Sequence, residues 1–272
     1  MKVRTLAVVL FLSFVPPASA QTSNFSAKKT PKPVEIAAPA AAHLVGESLV
    51  YDVFWMGLHV GFGSLEVREI TEVAGRRAYH VIAVAQTNDA LSTMYPVRDE
   101  IHSYIDAETF HSLEFRKKLS ERNYRADERI TFDPVSKKGL YESFRNGEKK
   151  EVEIPWPVHD LVSAFYWFRL QPAKPGDKIK TRVSSEEKTY DLELDVMRQE
   201  TKELRGGQVV DTLAVEPKTR LQGILYSRGR AWVHFTSDAR RVPVLITLKT
   251  PFGPVVGALR PSSATKNSSS AN

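Results

Sequence analysis

The sequence predicts an all-β fold: a single antiparallel, barrel-like or spiralling curved sheet, a half-barrel, with one buried central helix near residues 160–170. Three observations carry the prediction. Apolar residues alternate at period two along most of the chain, the spacing of half-buried strands. Gly, Pro, Asn and Asp break that alternation at short intervals, as turns between neighbouring strands do. Only the stretch from Asp160 to Leu170 combines helical length with helix start and stop signals.

In chain order, Lys2 and Arg4 precede the apolar run Leu6 to Val15, and Ala18-Ser19-Ala20 ends it with a small-x-small pattern. This is the pattern of a secretory signal peptide over residues 1–20, cleaved after Ala20. The run is too short to span a bilayer, which takes roughly 20 apolar residues. Residues 21–44 shift to Ala, Pro and Lys, a linker with too little to bury and expected to be disordered. The β-rich domain is expected over residues 45–260 and a disordered Ser, Ala, Lys and Asn tail over 261–272.

The first hairpin starts at Gly46. Leu49, Tyr51, Val53 and Trp55 alternate onto one face, Gly57, Gly61 and Gly63 supply the reversal and bend, and Leu65 and Val67 resume the alternation. Arg77 to Thr87 is apolar on both faces and reads as a central strand. Asn88 to Tyr95 holds one short helical turn halted by Pro96, and Arg98 to Ile105 is another strand. The charged run 112–132 resolves into two strands, with Leu113, Phe115 and Leu119 inward on one and Tyr124, Ala126, Ile130 and Phe132 inward on the other. Its charges then form a solvated outer face. A hairpin around Asn146-Gly147 joins Gly139 to Phe144 with Lys149 to Ile154.

Asp160 is a good N-cap for the helix and Pro172 stops it. Leu161, Ala164, Phe165 and Phe168 share a stripe, but Val162, Tyr166, Trp167 and Leu170 make the rest apolar too. A helix apolar nearly all round belongs inside a protein. Phe165 and Phe168 are expected as core, Tyr166 and Arg169 at a rim. The remainder reads as strands at Lys178 to Val183, Lys188 to Met197, Val209 to Lys218, Leu221 to Tyr226, Ala231 to Phe235, Val242 to Thr250 and Val255 to Leu259.

The 272 residues contain no Cys, so an exported chain of this kind holds together by packing, without disulfides. The formal charge of +6 falls to +4 once Lys2 and Arg4 leave with the leader. That mild excess suits an acidic envelope surface and does not call for nucleic acid. No nucleophile elbow, phosphate-binding loop or dinucleotide fingerprint is present, and the seven His are scattered. No catalytic residue, metal ligand or cofactor is therefore assigned.

The best polar constellation is Tyr95, Arg98 and Asp99 after the short turn with Asp160, Tyr166 and Arg169 on the helix. If helix and turn pack together, these groups must pair with one another, because an unpaired buried charge is costly. With Trp55 they form the candidate ligand-binding set; the same residues also read as a structural cluster holding helix to sheet.

Gly46-Glu47-x-Leu49-x-Tyr51-x-Val53-x-Trp55-x-Gly57-x-x-x-Gly61, Tyr95-Pro96-Val97-Arg98-Asp99, Asp160-x-x-Ser163-Ala164-x-Tyr166-x-x-Arg169 and Arg241-x-Pro243-Val244 follow one another in this order. In this the chain resembles an uncharacterised bacterial exported family, domain of unknown function three-one-zero-eight. The resemblance implies a β-rich periplasmic protein of the cell envelope and supplies no catalytic residues.

Two functions fit. One is a non-enzymatic periplasmic protein that binds a hydrophobic or lipid-like ligand, or a protein partner of the envelope, in the concave face of its sheet. The other is a hydrolase acting on an envelope polymer through Asp, Glu and His. An apolar groove on the concave face favours the first, and two carboxylates converging in a cleft favour the second.

Overall fold

The computed structural model describes residues 44–185, 188–221, 224–225 and 230–261. The expected leader, most of the linker and the tail lie outside the described residues. Leu44, placed at the end of the linker by composition, is a buried core residue.

The strands are β1 (Ser48–Trp55), β2 (Leu58–Val73), β3 (Arg76–Thr87), β4 (Arg98–Asp106), β5 (Ser112–Glu121), β6 (Tyr124–Asp133), β7 (Lys138–Ser143), β8 (Lys149–Glu153), β9 (Lys178–Ser185), β10 (Lys188–Glu203), β11 (Val209–Leu221), β12 (Ile224–Leu225), β13 (Arg230–Thr236), β14 (Pro243–Thr250) and β15 (Gly253–Leu259). Two helices interrupt them, α1 (Asp89–Ser92) and α2 (Leu161–Arg169). All pair antiparallel in one sheet of order β8-β7-β6-β5-β4-β3-β2-β1-β15-β14-β13-β11-β10-β9, with β12 on β11. Among the described residues, strands paired in the sheet follow one another in sequence except at β11–β13, which skips β12, and at β1–β15, the long-range pairing that curls the ribbon into an unclosed barrel with β8 and β9 at its edges.

The first hairpin shows why this sequence takes this shape. Met56 and Gly57 both have positive φ, the conformation of a two-residue turn matched to strand twist. At Val53 the register slips by one residue opposite Gly61. A Cβ on Gly61 would stand 2.1 Å from the Gln86 carbonyl oxygen, so the close approach of β2 and β3 there admits only glycine. β3 is buried on both faces from Ala78 to Ala83, as a central strand should be.

α2 is capped as its sequence indicates. Asp160 accepts the Val162 and Ser163 amides at 2.7 and 2.9 Å, and the Asp160 amide donates back to Ser163 Oγ at 2.8 Å, a capping box. Val158 and His159 bridge the start of β5 to edge strand β9: Ser112 donates to the Val158 carbonyl at 3.2 Å, and His159 bridges Val183 in parallel. This segment, with the helix behind it, stands in the seam that the strands leave unpaired.

Three expectations are corrected. The strand from Lys188 runs to Glu203, because a bulge between Val196 and Arg198 lets β10 bend and continue alongside β11. Of the strand expected over Leu221 to Tyr226, Leu221 belongs to β11 and Ile224–Leu225 form β12, and residues 222, 223 and 226 lie outside the described residues. Tyr124 is exposed, because it starts β6 directly after the turn, beyond the covered part of the sheet.

Candidate functional site

The inner face of the barrel divides into two halves of opposite chemistry. Around α2 it is apolar: Val162, Ala164, Tyr166 and Phe168 join one cluster with Leu49, Leu65, Val81, Ile105, Leu194 and Phe235, among others. Phe168 and Phe165 meet Phe235 with ring centroids 4.8 and 5.2 Å apart. Phe168 is core as expected, whereas Phe165 is half-buried, because the buried arc of the helix is centred on Val162, Tyr166 and Arg169 instead.

That arc overturns the rim role of Tyr166 and Arg169, which are 1% and 5% exposed. Arg169 donates to both oxygens of Glu47 at 2.6 Å and to the Arg240 carbonyl at 3.1 Å, and lies over the Tyr166 ring. Burial opposes its charge, yet the Glu47 hydrogen bonds hold its pKa above the ordinary value. The charge is tolerated because its partner is bidentate and a carbonyl takes a remaining donor. Burial and the adjacent Glu47 both push the Tyr166 hydroxyl far up, so it stays neutral.

At the other end of α2, Asp160 is fully buried and accepts Ser103 Oγ at 2.7 Å and Ser112 Oγ at 2.5 Å besides its capping amides. Burial raises its pKa, and the four donors work against that rise. His159 beside it donates Nδ1–H to the Phe110 carbonyl at 3.0 Å, and burial holds it neutral.

The second half of the interior is polar. Asp99, Ile101, Ser103 and Ile105 alternate inward along β4, and the register places Ile101 beside Lys117 and Lys117 beside Glu128. Lys117 and Glu128 pair at 2.9 Å with side chains only 13% and 16% exposed. One step nearer the barrel mouth, Asp99 and Glu121 are 2% and 6% exposed and lie against each other. Burial raises both carboxyls; burial and then the Asp99 charge bring Glu121 to about 7. Two carboxyls this close and this buried oppose each other's ionisation.

The expected constellation is thus not one site. Tyr166 and Arg169 come together, with Glu47. Asp160 pairs with Ser103 and Ser112, and Asp99 with Glu121 and the Ser120 amide. Arg98 points outward and is exposed, Tyr95 is half-buried, and Trp55 sits half-buried at the mouth, donating Nε1 to the Phe252 carbonyl at 3.0 Å. Glu47, Lys117, Glu121 and Glu128 were not among the expected residues. Glu47 stood in the opening motif, but its partner lies 122 residues away. The inward position of Lys117 follows from the same alternation that places Phe115 and Leu119, read without exempting charges.

A cleft of about 470 Å³ opens near the C-terminal end of α2. Its floor is Leu204, Val210, Val242, Val244 and Leu259, and Asp211, Asp238 and Arg240 stand at its edge. Arg241, beneath it, donates to the Gln171 and Ala173 carbonyls and ties the end of the helix to the β13–β14 turn. No group of His, Cys, Asp and Glu suited to a metal ion occurs among the described residues. No helix among them is long and apolar enough to cross a membrane.

The family model for a protein of unknown function, DUF3108, matches residues 50–260. No curated protein matches the chain by sequence. Among solved structures, a β-barrel-like protein of domain of unknown function DUF1849 from Brucella abortus is similar, with a TM-score of 0.54 and 11% identity. The match covers 80% of this chain and 96% of that one. At that identity the likeness concerns the fold.

Proposed function

This chain belongs to the DUF3108 family of proteins of unknown function, and we propose that it is a non-enzymatic cell-envelope protein, exported to the periplasm, that binds a lipid-like ligand. The observation that supports this reading is the cleft beside the helix end. Its five-residue apolar floor is edged by Arg240, Asp211 and Asp238, the combination that suits a molecule with an apolar body and a polar head. In its apolar half the concave face is filled by α2.

The test is native mass spectrometry of the chain purified from the periplasmic fraction, in parallel with a Val210→Trp variant. Val210 lines the cleft and is only half-buried, so the larger ring fills the space with little disturbance to the core. The wild type is expected to retain an amphiphile, and added lysophospholipid is expected to raise its melting temperature by mass action. Both effects should vanish in the variant. An empty wild type whose melting ignores lysophospholipid would overturn the reading, as would recovery from the cytoplasm with residues 1–20 intact.

One observation favours the hydrolase instead: Asp99 and Glu121 are buried side by side, and burial with the Asp99 charge raises Glu121 to about 7, as in acid–base pairs. They touch, however, whereas glycosidase carboxyls stand roughly 5–9 Å apart with substrate or water between them. Release of fragments from a purified envelope polymer, lost in both Asp99→Asn and Glu121→Gln, would replace the binding reading with the enzymatic one.

A further inference from the structure

The end of the barrel away from the α2 C-terminus carries exposed apolar side chains at the tips of its turns. Met56 and Leu58 bracket the β1–β2 turn and are 62% and 68% exposed, Phe252 tips the β14–β15 turn at 57%, and Met94 follows α1 at 76%. These turns are neighbours. The Met56 amide donates to the Pro254 carbonyl at 2.9 Å, and Trp55 Nε1 reaches the Phe252 carbonyl. Leu91 of α1 packs with Trp55 and Val60 under the same tips. The antiparallel order places the β5–β6 and β7–β8 turns at this end as well, with exposed Tyr124 and Phe144.

Charge separates this end from the opposite one. Among the described residues of its turns and the two strand residues on either side, Arg98, Arg122, Arg125, Arg145, Lys149 and Lys249 are exposed, against exposed Asp89 and Glu148, while Asp99, Glu121 and Glu142 are buried; Glu186 and Glu187 of the β9–β10 connection at this end lie outside the described residues. At the opposite end Glu72, Glu108, Asp133, Glu203 and Asp238 mix with the basic residues.

We propose that this end docks on an anionic lipid surface, with Met56, Leu58, Met94 and Phe252 entering the headgroup layer and the basic residues facing the phosphates. Apolar groups on separate protruding tips suit a soft layer that closes around each one, whereas a protein partner of this size needs a continuous patch burying on the order of 1,000 Å². Basic residues in and beside the same turns match the negative headgroups of such a surface. The inference goes beyond the ligand-binding reading and does not depend on it: docking in this way leaves the cleft, at the far end, facing away from the bilayer.

The test is co-sedimentation with vesicles of phosphatidylethanolamine and phosphatidylglycerol, and with phosphatidylcholine vesicles, using the exported chain, a Met56→Ser/Phe252→Ser variant and an Ile70→Ser/Val135→Ser control altered at the opposite end. All four positions are exposed, and a circular dichroism melt verifies that each variant is folded. Wild type and control are expected to bind the anionic vesicles and lose binding in high salt, while the tip variant binds at least ~10-fold more weakly, as removal of interfacial apolar area demands. Absence of wild-type binding, equal binding to phosphatidylcholine in high salt, or an equal loss in tip and control variants would overturn the proposal. So would a lipid-free dimer, seen by sedimentation velocity, that the tip variant dissociates, because the tips would then be an interface between copies. Lysophospholipid stabilisation that survives in the tip variant would leave the cleft reading intact while the docking proposal failed.

Discussion

The two halves of the barrel interior solve burial in opposite ways. Around α2 the sheet is filled with apolar side chains, and the deeply buried Arg169 is held by a bidentate carboxylate and a carbonyl. Toward the mouth the same strands turn Lys117, Glu128, Asp99 and Glu121 inward. The difference teaches where stability and adjustability reside. The helix-filled half depends on every group being in place, whereas the polar half pairs charge with charge and can change protonation without losing a packed side chain.

The largest effects are expected in the filled half. Phe168→Ala should cost about 3–5 kcal/mol through lost burial and a cavity. Arg169→Met should cost a similar ~3–5 kcal/mol, because Glu47 would remain as an uncompensated buried charge. Denaturant melts read both, and Glu47→Leu combined with Arg169→Met should recover much of the second loss. If the double variant is no better than the single one, the buried pair is not the reason the position is sensitive.

Asp160→Ala comes next, at about 2 kcal/mol, from loss of the cap together with two serines left without their acceptor. Asp160→Asn should do better, since Asn still accepts the helix amides. Equal losses in the two variants would shift the weight from capping to the buried charge.

In the polar half the expected signature is pH dependence. Folded Glu121 titrates at about 7, above an ordinary carboxyl, so the folded chain holds a proton that the unfolded chain has already released. Stability from this source is full below the ordinary carboxylate range and is lost as pH rises toward 7. Glu121→Gln should flatten that stretch of the melting-temperature profile and leave the variant a few °C more stable than wild type at pH 8, where about 1 kcal/mol corresponds to ~2–4 °C for a domain of this size. An unchanged slope would mean that burial beside Asp99 does not raise Glu121 in the folded chain.

The smallest effect is expected at Tyr124→Ser, within about 0.5 kcal/mol, because the ring lies beyond the covered sheet. A loss near that of Phe168→Ala would show that the mouth is packed in solution, and the contrast between the halves would fail.

Local signals in the sequence reached as far as local physics does. The alternation of β1, the doubly buried stretch of β3, the glycines of the first hairpin and the Asp160 cap are each decided within a few residues, by pleat, turn geometry and backbone donors. They were enough for an all-β curved sheet with one internal helix. Even the polar half was written there, since Lys117 and Glu128 occupy inward positions of the same period-two pattern that places Phe115 and Ile130.

What the tertiary structure alone decided is which of these groups meet. A helix apolar almost all round does not declare which arc is deepest, and the arc containing Tyr166 and Arg169 was selected by Glu47 and the Arg240 carbonyl, which reach it from β1's approach and the β13–β14 turn. Asp99 and Asp160, drawn together in the sequence reading by their need for partners, each found a nearer one in Glu121 and in two serines. A buried charge requires a partner but does not name it. That choice is made by the curvature of the sheet, which follows from strand twist summed over the whole ribbon and from the long-range β1–β15 pairing.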